Sequence, residues 1–566
     1  MYGFTIIKGA NIDKEKLPLY KQSIELKLQD KDQLFFGYNS FSKFNEDKIF
    51  KENTKYVIGL DGVVLNLQKL KNTYGISNYF DLITTLYFKF NINFVAELKG
   101  DFNGFLFNKE TQQLYFFNNK TGTKQAFYTT FHGFTMISYS IEQIVLFKES
   151  IGLSNRLAIQ SVYDMLTFGT VMANKTLVKD IFCLRAGKYL ELTKSSFIEK
   201  EYFSYNTIDY TIHSKKEAIN KIDKTIIEAV KMQYEKDIAY HYPHLALLSG
   251  GLDSRVNVML ADKLGYKNSI LCFSNPNYLD EIISRKIAKR LNLDYQFISL
   301  KDGGYMKNLQ QNVFINNGMR VFTSSAHYNY ALQKKDISLY GLVHSGQIGD
   351  GVFGGLLSKT NKENFLSKVV STKFLNKTSI TQAYQKKYKN EEIFKLYNYV
   401  FNLTHSGSYT TEFYKSYLVS PFLDDDVMAV AFSIDPKLRY NQNIYIDWIL
   451  NKHPEISKFV WERTGFKPNK KWKTIVGRYT NKIKKEYFYV LNKKEKLSMT
   501  PEDFWLETNN ELQTFYNHFF EKHILLLQKN KEVFTDLKNY YTYGDSTEKS
   551  IVLTILQIIL NFKLKI

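Results

Sequence analysis

Short apolar runs separated by turn residues fill the first 200 positions, and Tyr56 to Gly59, Gly104 to Phe107, Gln113 to Phe117 and Thr135 to Ser138 read as strands. Two aromatic-rich runs flank a polar turn at Asn108 to Gln112, which predicts a hairpin over Asp101 to Phe117. A helix over about Ile159 to Phe168 and a hairpin ending near Tyr202 complete this half, so a layered sheet domain is expected. A polar stretch at 205–214 then gives way to Ile219, Ile222, Ile226, Val230 and Met232 at helical spacing within Lys215 to Tyr234. The domain boundary is placed there, giving units 1–204 and 205–566. Beyond it strands at Leu245 to Leu248, Ile270 to Phe273 and Tyr295 to Ser299 alternate with helices at Asp253 to Leu264 and Leu279 to Leu291. That alternation predicts a parallel sheet with right-handed crossovers, whose ligands bind at the carboxyl ends of the strands. From about Gly303 the pattern is helical, apart from a strand expected at Ser338 to His344. The apolar run Ile551 to Phe562, at about 12 residues, is too short to span a bilayer and reads as a buried terminal helix.

Composition narrows the class. Of 566 residues, 44% are hydrophobic, 23% charged and only 8 proline, which fits a folded protein of two to four domains at about 150 residues each. Cys183 and Cys272 both lie inside apolar runs, which excludes a disulfide framework and a zinc cluster and fits a reducing, cytoplasmic setting. The stretch MYGFTIIKGANIDKEK lacks a basic start, a long apolar core and a small-residue cleavage site, so no secretion signal is expected. Subtracting 56 acidic from 76 basic residues gives a net charge of +20. Part of that excess sits at 467–496, where lysines alternate with aromatic and aliphatic residues and Glu486 and Glu495 are the acids. A solvated face is one reading of it; contact with an anionic partner, such as membrane lipid or a charged glycan, is the other.

The chemistry concentrates at Ser249-Gly250-Gly251-Leu252-Asp253-Ser254, between an apolar strand and a helix. Adjacent glycines let backbone amides approach an anion, and a helix N-terminus adds unpaired N–H groups and a positive dipole end. Ser249 and Ser254 can donate hydroxyl hydrogen bonds. Asp253 would repel phosphate unless a magnesium ion lay between them, so a carboxylate at this point argues for a metal. The loop is neither a Walker sequence nor a GxGxxG fingerprint; a helix cap at a tight turn is the bland alternative. A second glycine-rich loop, His344-Ser345-Gly346-Gln347-Ile348-Gly349-Asp350-Gly351-Val352-Phe353-Gly354-Gly355, follows another apolar strand and offers Asp350 as a second ligand.

The first loop resembles the pyrophosphate-binding SGGxDS loop of the ATP pyrophosphatases. The second is similar to the SGxGxDExFGG segment of the asparagine synthetase family, and Ser420-Pro421-Phe422-Leu423-Asp424 to that family's PFLD segment. Leu98-Lys99-Gly100-Asp101-Phe102, Asn119-Lys120-Thr121-Gly122 and Leu184-Arg185-Ala186-Gly187 are similar to parts of its glutaminase domain. The resemblance implies an α/β and α+β two-domain fold. Its N-terminal part is a glutaminase-like (Ntn-type) αββα sandwich over 1–204, and its C-terminal part an adenine nucleotide α-hydrolase-like (PP-loop) parallel sheet with a helical extension over 205–566. ATP and Mg2+ are the implied cofactors, with pyrophosphate in the 249–254 loop and magnesium on Asp253 and Asp350. Adenine and ribose are expected along Leu248, Phe273 and the Ser345-Gly346 turn.

Four positions depart from the family, one of them Gly351, which stands at the acidic position after Asp350. Tyr2 stands where its glutamine-using members expose a cysteine, and a phenol with a pKa of about 10 is a poor nucleophile, so no glutaminase activity is expected. Gln347 replaces a glutamate assigned to the amine-transfer step and cannot act as a base. Thr464 falls where a WRxK-type segment has a lysine that contacts pyrophosphate, which leaves Arg463 or Lys467 to supply the charge. The resulting reading is an ATP-dependent amide-forming ligase with Asp253, Asp350, Arg463 and Lys467 as its catalytic set. It joins a small-molecule, peptide or glycan carboxylate to an amine or ammonia through an acyl-adenylate. A true asparagine synthetase acting on aspartate and a catalytically degenerate nucleotide-binding protein are the alternatives. A thiolation or transfer-RNA-modifying enzyme accounts for the first loop and the charge but not for the PFLD segment. His344 beside the second loop reads as an acid or base or, more often at a strand end, as a hydrogen-bonded structural residue, and Asp424, Asp425 and Asp426 as a metal site or a helix N-terminal acidic cluster. A homodimer and peripheral membrane contact through 467–496 are left open, and nucleic acid is not expected as a partner.

Overall fold

The computed structural model describes the chain except residues 1, 11, 13–16, 18–19, 29–31, 359–364, 471, 478, 481–482 and 484–497. Most of the basic stretch 467–496 thus lies outside the described residues. The N-terminal half contains strands β1 (Gly3–Ala10), β2 (Gln22–Lys27), β3 (Asp32–Asn39), β4 (Ile49–Glu52), β5 (Tyr56–Val64), β6 (Gly100–Asn108), β7 (Gln113–Asn118), β8 (Phe127–Phe131), β9 (Phe134–Ser138), β10 (Phe182–Cys183), β11 (Lys188–Leu192) and β12 (Phe197–Glu201). They form two antiparallel six-stranded sheets, ordered β10-β8-β9-β1-β3-β2 and β12-β11-β7-β6-β5-β4.

Side chains alternate across each strand, and here both faces are apolar. Phe4 and Ile6 of β1, Leu34 and Phe36 of β3, Phe105 and Phe107 of β6 and Leu114 and Phe116 of β7 meet between the sheets. Their neighbours Ile7 and Phe35 point to one outer face, and Leu106, Tyr115 and Phe117 to the other. Helices Leu67–Tyr74 and Tyr79–Phe90 cover the second of these faces, and Ile141–Ser150 and Ile159–Phe168 the first. The result is the four-layer amidotransferase-type sandwich, with each expected run lying inside a longer strand.

The C-terminal half is built on a parallel five-stranded sheet of β13 (His244–Leu247), β14 (Asn268–Ser274), β15 (Asp294–Ser299), β16 (Val343–His344) and β17 (Leu418–Val419), ordered β15-β14-β13-β16-β17. Helices Leu252–Lys263 and Leu279–Leu291 make the first two crossovers. Strand order reverses between β13 and β16, so the crevice at a topological switch point opens at their carboxyl ends, where the two glycine-rich loops begin.

The strand expected over Ser338 to His344 is only Val343–His344. Asp237 of the helix Lys215–Ala239 takes over the approach: its Oδ1 accepts the Leu342 N–H at 2.7 Å, and a Cβ on Gly341 would lie 2.1 Å from the same oxygen. The polar stretch 205–214 is packed rather than free, with Tyr205 buried and Ile212 paired with Ile434.

One hydrophobic core crosses between the halves. Ile7, Phe127, Ile144 and Val162 from the sandwich share it with Leu309, Phe322, Trp505, Tyr516, Ile551, Ile555 and Leu564. The apolar run near the end of the sequence is the buried helix Ser546–Asn561, and beyond it Lys565 exchanges backbone hydrogen bonds of 2.9 Å with Asn155 and Leu157.

Candidate functional site

The turn after β13 is held by its own serines. Ser249 N–H donates to Ser254 Oγ at 3.1 Å, the two hydroxyls are 3.0 Å apart, and Gly251 N–H donates to Ser249 Oγ at 3.2 Å. Gly250 N–H donates to Asp280 Oδ1 at 2.7 Å. Gly251 is the N-cap of Leu252–Lys263 and offers no side-chain acceptor, so N–H groups of the first turn are left for a ligand.

The second loop interlocks with the first. A Cβ on Gly346 would fall 2.1 Å from Ser254 N, and one on Gly349 2.6 Å from Asp253 Cγ, so both positions need glycine for close approach. Ser345 is fixed by a 2.8 Å bond from its N–H to the Val419 carbonyl, and its own carbonyl accepts Asn257 Nδ2 at 3.0 Å. Asp350 N–H donates to Asp253 Oδ2 at 2.8 Å, bringing the two expected metal ligands together. Gly346→Ala is expected to push the loops apart and weaken Mg-ATP binding about 5- to 150-fold, since overpacking costs about 1–3 kcal/mol. Calorimetry checks this, and wild-type affinity in the variant would show that the close approach is dispensable.

Burial, then the charge of Asp350, push the Asp253 carboxyl up to about 8; Tyr445 and Arg463 beside it oppose the shift. Arg463 Nη1 lies 3.6 Å from Asp350 Oδ2. The carboxylates of Asp253 and Asp350 are hard oxygen donors of the kind magnesium prefers, and the side-chain-free surface at Gly251 leaves room for phosphate. The residues present therefore fit both cofactors.

A strap over 456–466 closes on the first loop. Glu462 N–H donates to the Gly250 carbonyl at 3.2 Å, and the Tyr278 hydroxyl to Glu462 Oε1 at 2.6 Å. Arg255, fully buried, links strap to loop: its guanidinium donates to the carbonyls of Gly250 at 3.0 Å, Val460 at 2.6 Å and Ile456 at 3.2 Å. Sequence reasoning missed Arg255, although it directly follows the SGGLDS run. Thr464 is buried and accepts Phe466 N–H at 3.3 Å; it shapes the turn of the strap. Arg463 is brought to the site. Lys467 is exposed, and among the described residues no hydrogen bond or ion pair links it to Asp253 or Asp350. Leu248 is buried at the end of β13, and Phe273 stands at the end of β14 against His327 and Tyr328.

Gln347 projects toward helix Phe401–Phe413. A Cβ at Gly407 would lie 2.6 Å from its Nε2, while its Oε1 is buried without a partner among the described residues. Ser420 Oγ donates to the Gln347 carbonyl at 2.9 Å, which joins the PFLD segment to this loop. Asp424 caps the helix Asp425–Ser433 and, with its two neighbours, pairs with the sandwich: Lys99 lies 3.7 Å from Asp424 and 2.5 Å from Asp426, and Lys120 3.1 Å from Asp425. The helix N-terminal reading of this acidic run holds. His344 Nε2 is hydrogen-bonded to Asp237 Oδ2 at 2.7 Å and its ring stacks on Tyr234 at 3.8 Å, a structural placement.

The sandwich contributes a second buried polar cluster. Lys124 Nζ lies 2.7 Å from Asp61 Oδ2 and 2.6 Å from Glu412 Oε1, and Asp61 Oδ1 accepts the hydroxyls of Tyr38 at 2.8 Å and Ser40 at 2.7 Å. Burial opposes the Asp61 charge, but Lys124 and Lys48 hold its carboxyl below the ordinary range. Glu412 belongs to the same helix, Phe401–Phe413, that faces Gln347, and His405 Nε2 on that helix lies 3.0 Å from the Thr121 carbonyl. Tyr2 packs edge-on against Phe41 at 5.0 Å and lines a cavity of only about 10 Å³ with Gln125, Tyr139, Tyr409, Glu412 and Phe413. That is room for about one water molecule, not for glutamine. Glutamine incubated with the protein is expected to release no ammonia above the chemical background, and steady release would overturn this.

The fold and the paired loops define a protein with an amidotransferase-type sandwich joined to a domain of the ATP-pyrophosphatase type. Residues 42–203 match the family model for a glutamine amidotransferase domain, and residues 221–407 that for asparagine synthase. The two matched segments assign the chain a glutamine amidotransferase-type domain and an asparagine synthase-type domain, and the chain is distantly similar to asparagine synthetase. It is 24% identical to the putative asparagine synthetase (glutamine-hydrolyzing) 2 of Methanocaldococcus jannaschii over 363 residues, 61% of this chain and 68% of that one. Similarity to the amidase chyE of Penicillium rubens is 25% over 243 residues (39% of this chain, 34% of the relative), and to the amidase chry2 of Gibberella zeae 22% over 245 residues (39% and 35%). The matched regions thus span about a third of the two fungal amidases.

Proposed function

We propose that this chain is an ATP-dependent amide-forming ligase that draws its nitrogen from a free amine or ammonia. The observation that carries the reading is the Asp253–Asp350 pair, set 2.8 Å apart, N–H to carboxylate, at the switch point of the sheet where two glycine loops interlock. Magnesium held by these carboxylates would offset the phosphate charge. The 249–254 turn receives the pyrophosphate, the Leu248, Phe273 and Ser345-Gly346 surfaces hold the nucleoside, and Arg463 supplies positive charge at the mouth. The substrate carboxylate attacks the α-phosphorus, pyrophosphate leaves, and an amine then displaces AMP and loses a proton. Gln347 removes no proton, so the amine must arrive uncharged or lose its proton to water. The clogged pocket at Tyr2 supports a nitrogen source other than glutamine.

The test is product analysis with panels of carboxylates and amines. AMP and pyrophosphate are expected, with one amide per ATP; release of ADP would sink the reading. Stoichiometric asparagine from aspartate and ammonia would place the chain among true asparagine synthetases. A second reading, nucleotide binding without catalysis, is favoured by the structural burial of Thr464, and ATP binding with no AMP release across the panels would support it.

A further inference from the structure

Next to the strap lies a surface that the ligase reading does not use. Residues 472–477 and 479–480 are helical, as is 483, and on this stretch five large apolar side chains stand in solvent: Trp472 (58% exposed), Ile475 (56%), Val476 (42%), Tyr479 (69%) and Ile483 (64%). Within 472–477 the i, i+3 and i+4 spacing puts Trp472, Ile475 and Val476 on one stripe, and Tyr479 and Ile483 continue the same sequence period at i+7 and i+11. The opposite side is anchored. Thr474 is buried, and a Cβ on Gly477 would fall 2.7 Å from both Thr464 Cβ and the Thr464 carbonyl and 2.9 Å from Phe466. The strap thus holds the inner face against the protein and turns the apolar stripe outward.

The charge around the stripe names its partner. Between positions 467 and 485 the sequence has eight lysines and arginines and no acid. Lys467 and Lys470 are exposed just before the helix, and Lys473 Nζ sits 5.8 Å from the Trp472 ring. An apolar stripe carrying Trp and Tyr and flanked by lysines is the composition of a helix that lies in the plane of an anionic bilayer surface. A second copy of this chain would bring the same positive charge to the contact and be repelled. No helix among the described residues is long and apolar enough to cross a membrane, so contact stays at the surface.

We infer that the stripe Trp472, Ile475, Val476, Tyr479 and Ile483, with its flanking lysines, docks this protein on an anionic lipid bilayer. The test is sedimentation of the full chain with vesicles of equal parts phosphatidylcholine and phosphatidylglycerol, against vesicles of phosphatidylcholine alone. Binding to the anionic vesicles is expected to exceed that to neutral ones by about tenfold and to fall as salt rises. Trp472→Ser with Tyr479→Ser, and separately Lys470→Gln with Lys473→Gln, are each expected to remove about tenfold of it. All these positions are surface ones, and thermal melting verifies that the variants stay folded. Equal binding to both vesicle types, no binding, or binding that survives the loss of Trp472 and Tyr479 overturns the inference. A lipid-free dimer in light scattering that the Trp472→Ser, Tyr479→Ser variant abolishes, without vesicle binding, also overturns it and assigns the stripe to a second copy.

Discussion

Asp253→Asn is expected to abolish ATP-dependent AMP release, by about 10²- to 10³-fold, while making the protein more stable at alkaline pH. The activity loss follows from removing one of two carboxylates at the loop junction, where one preorganised electrostatic group is worth about 3–4 kcal/mol to a transition state. The stability gain has the opposite origin. In the folded chain the Asp253 carboxyl titrates at about 8, against about 3.9 for an unfolded aspartate, so folding favours its protonated form. The stability linked to that proton is fully present below about pH 4 and is lost as pH rises through about 8. Asparagine loses nothing over this range. Without magnesium, the variant should melt above the wild type at about pH 9 and together with it at about pH 4. Lower stability at high pH would mean that Asp253 serves packing rather than chemistry.

Lys124→Met is the second large effect, and it falls on the fold. Lys124 is buried between Asp61 of the sandwich and Glu412 of helix Phe401–Phe413. Methionine keeps the stem and removes the charge, taking the cation away from the buried Glu412 and leaving Asp61 with Lys48 and two hydroxyl donors. Breaking such a cluster from one side costs about 3–5 kcal/mol. Urea unfolding should register the loss, and limited proteolysis should find the seam between the halves more open. Adding Asp61→Asn and Glu412→Gln should restore most of the stability, because the cost comes from the uncompensated charges. A single variant as stable as the wild type would show that the cluster does not hold the halves together. The helix it anchors also carries Gly407 against Gln347, so AMP release with a saturating carboxylate is expected to fall as well.

The sequence exposes what is local and hides what depends on two distant segments meeting. The SGGLDS turn and the strands before and after it are readable because phosphate chemistry and strand-to-helix geometry are encoded in one contiguous stretch. Helix Leu279–Leu291 has the bounds that its apolar period predicts. By contrast, β16 is shorter than its apolar run because Asp237, about a hundred positions away, captures Leu342 N–H. Nothing in the local sequence marks Arg255, because the carbonyls that its guanidinium binds belong to the distant strap at 456–460. Thr464 matched a family lysine by position but serves a turn. Asp424 to Asp426 admit two readings from sequence because their partners, Lys99 and Lys120, lie in the other half of the chain.

The core shared between the sandwich and the helices near position 560 bears on how the chain is made. Synthesis runs from the first residue onward, so the outer face of the first sheet, with Ile7, Phe127, Ile144 and Val162, emerges hundreds of residues before Ile551, Ile555 and Leu564 that cover it. During that interval the nascent sandwich presents an uncovered oily face, the kind of surface that recruits chaperones or drives aggregation. A gene fragment ending near position 204 should therefore yield aggregated protein unless residues of the 500–565 region are supplied with it. Splitting this chain for expression or screening has to keep its first and last segments in the same tube.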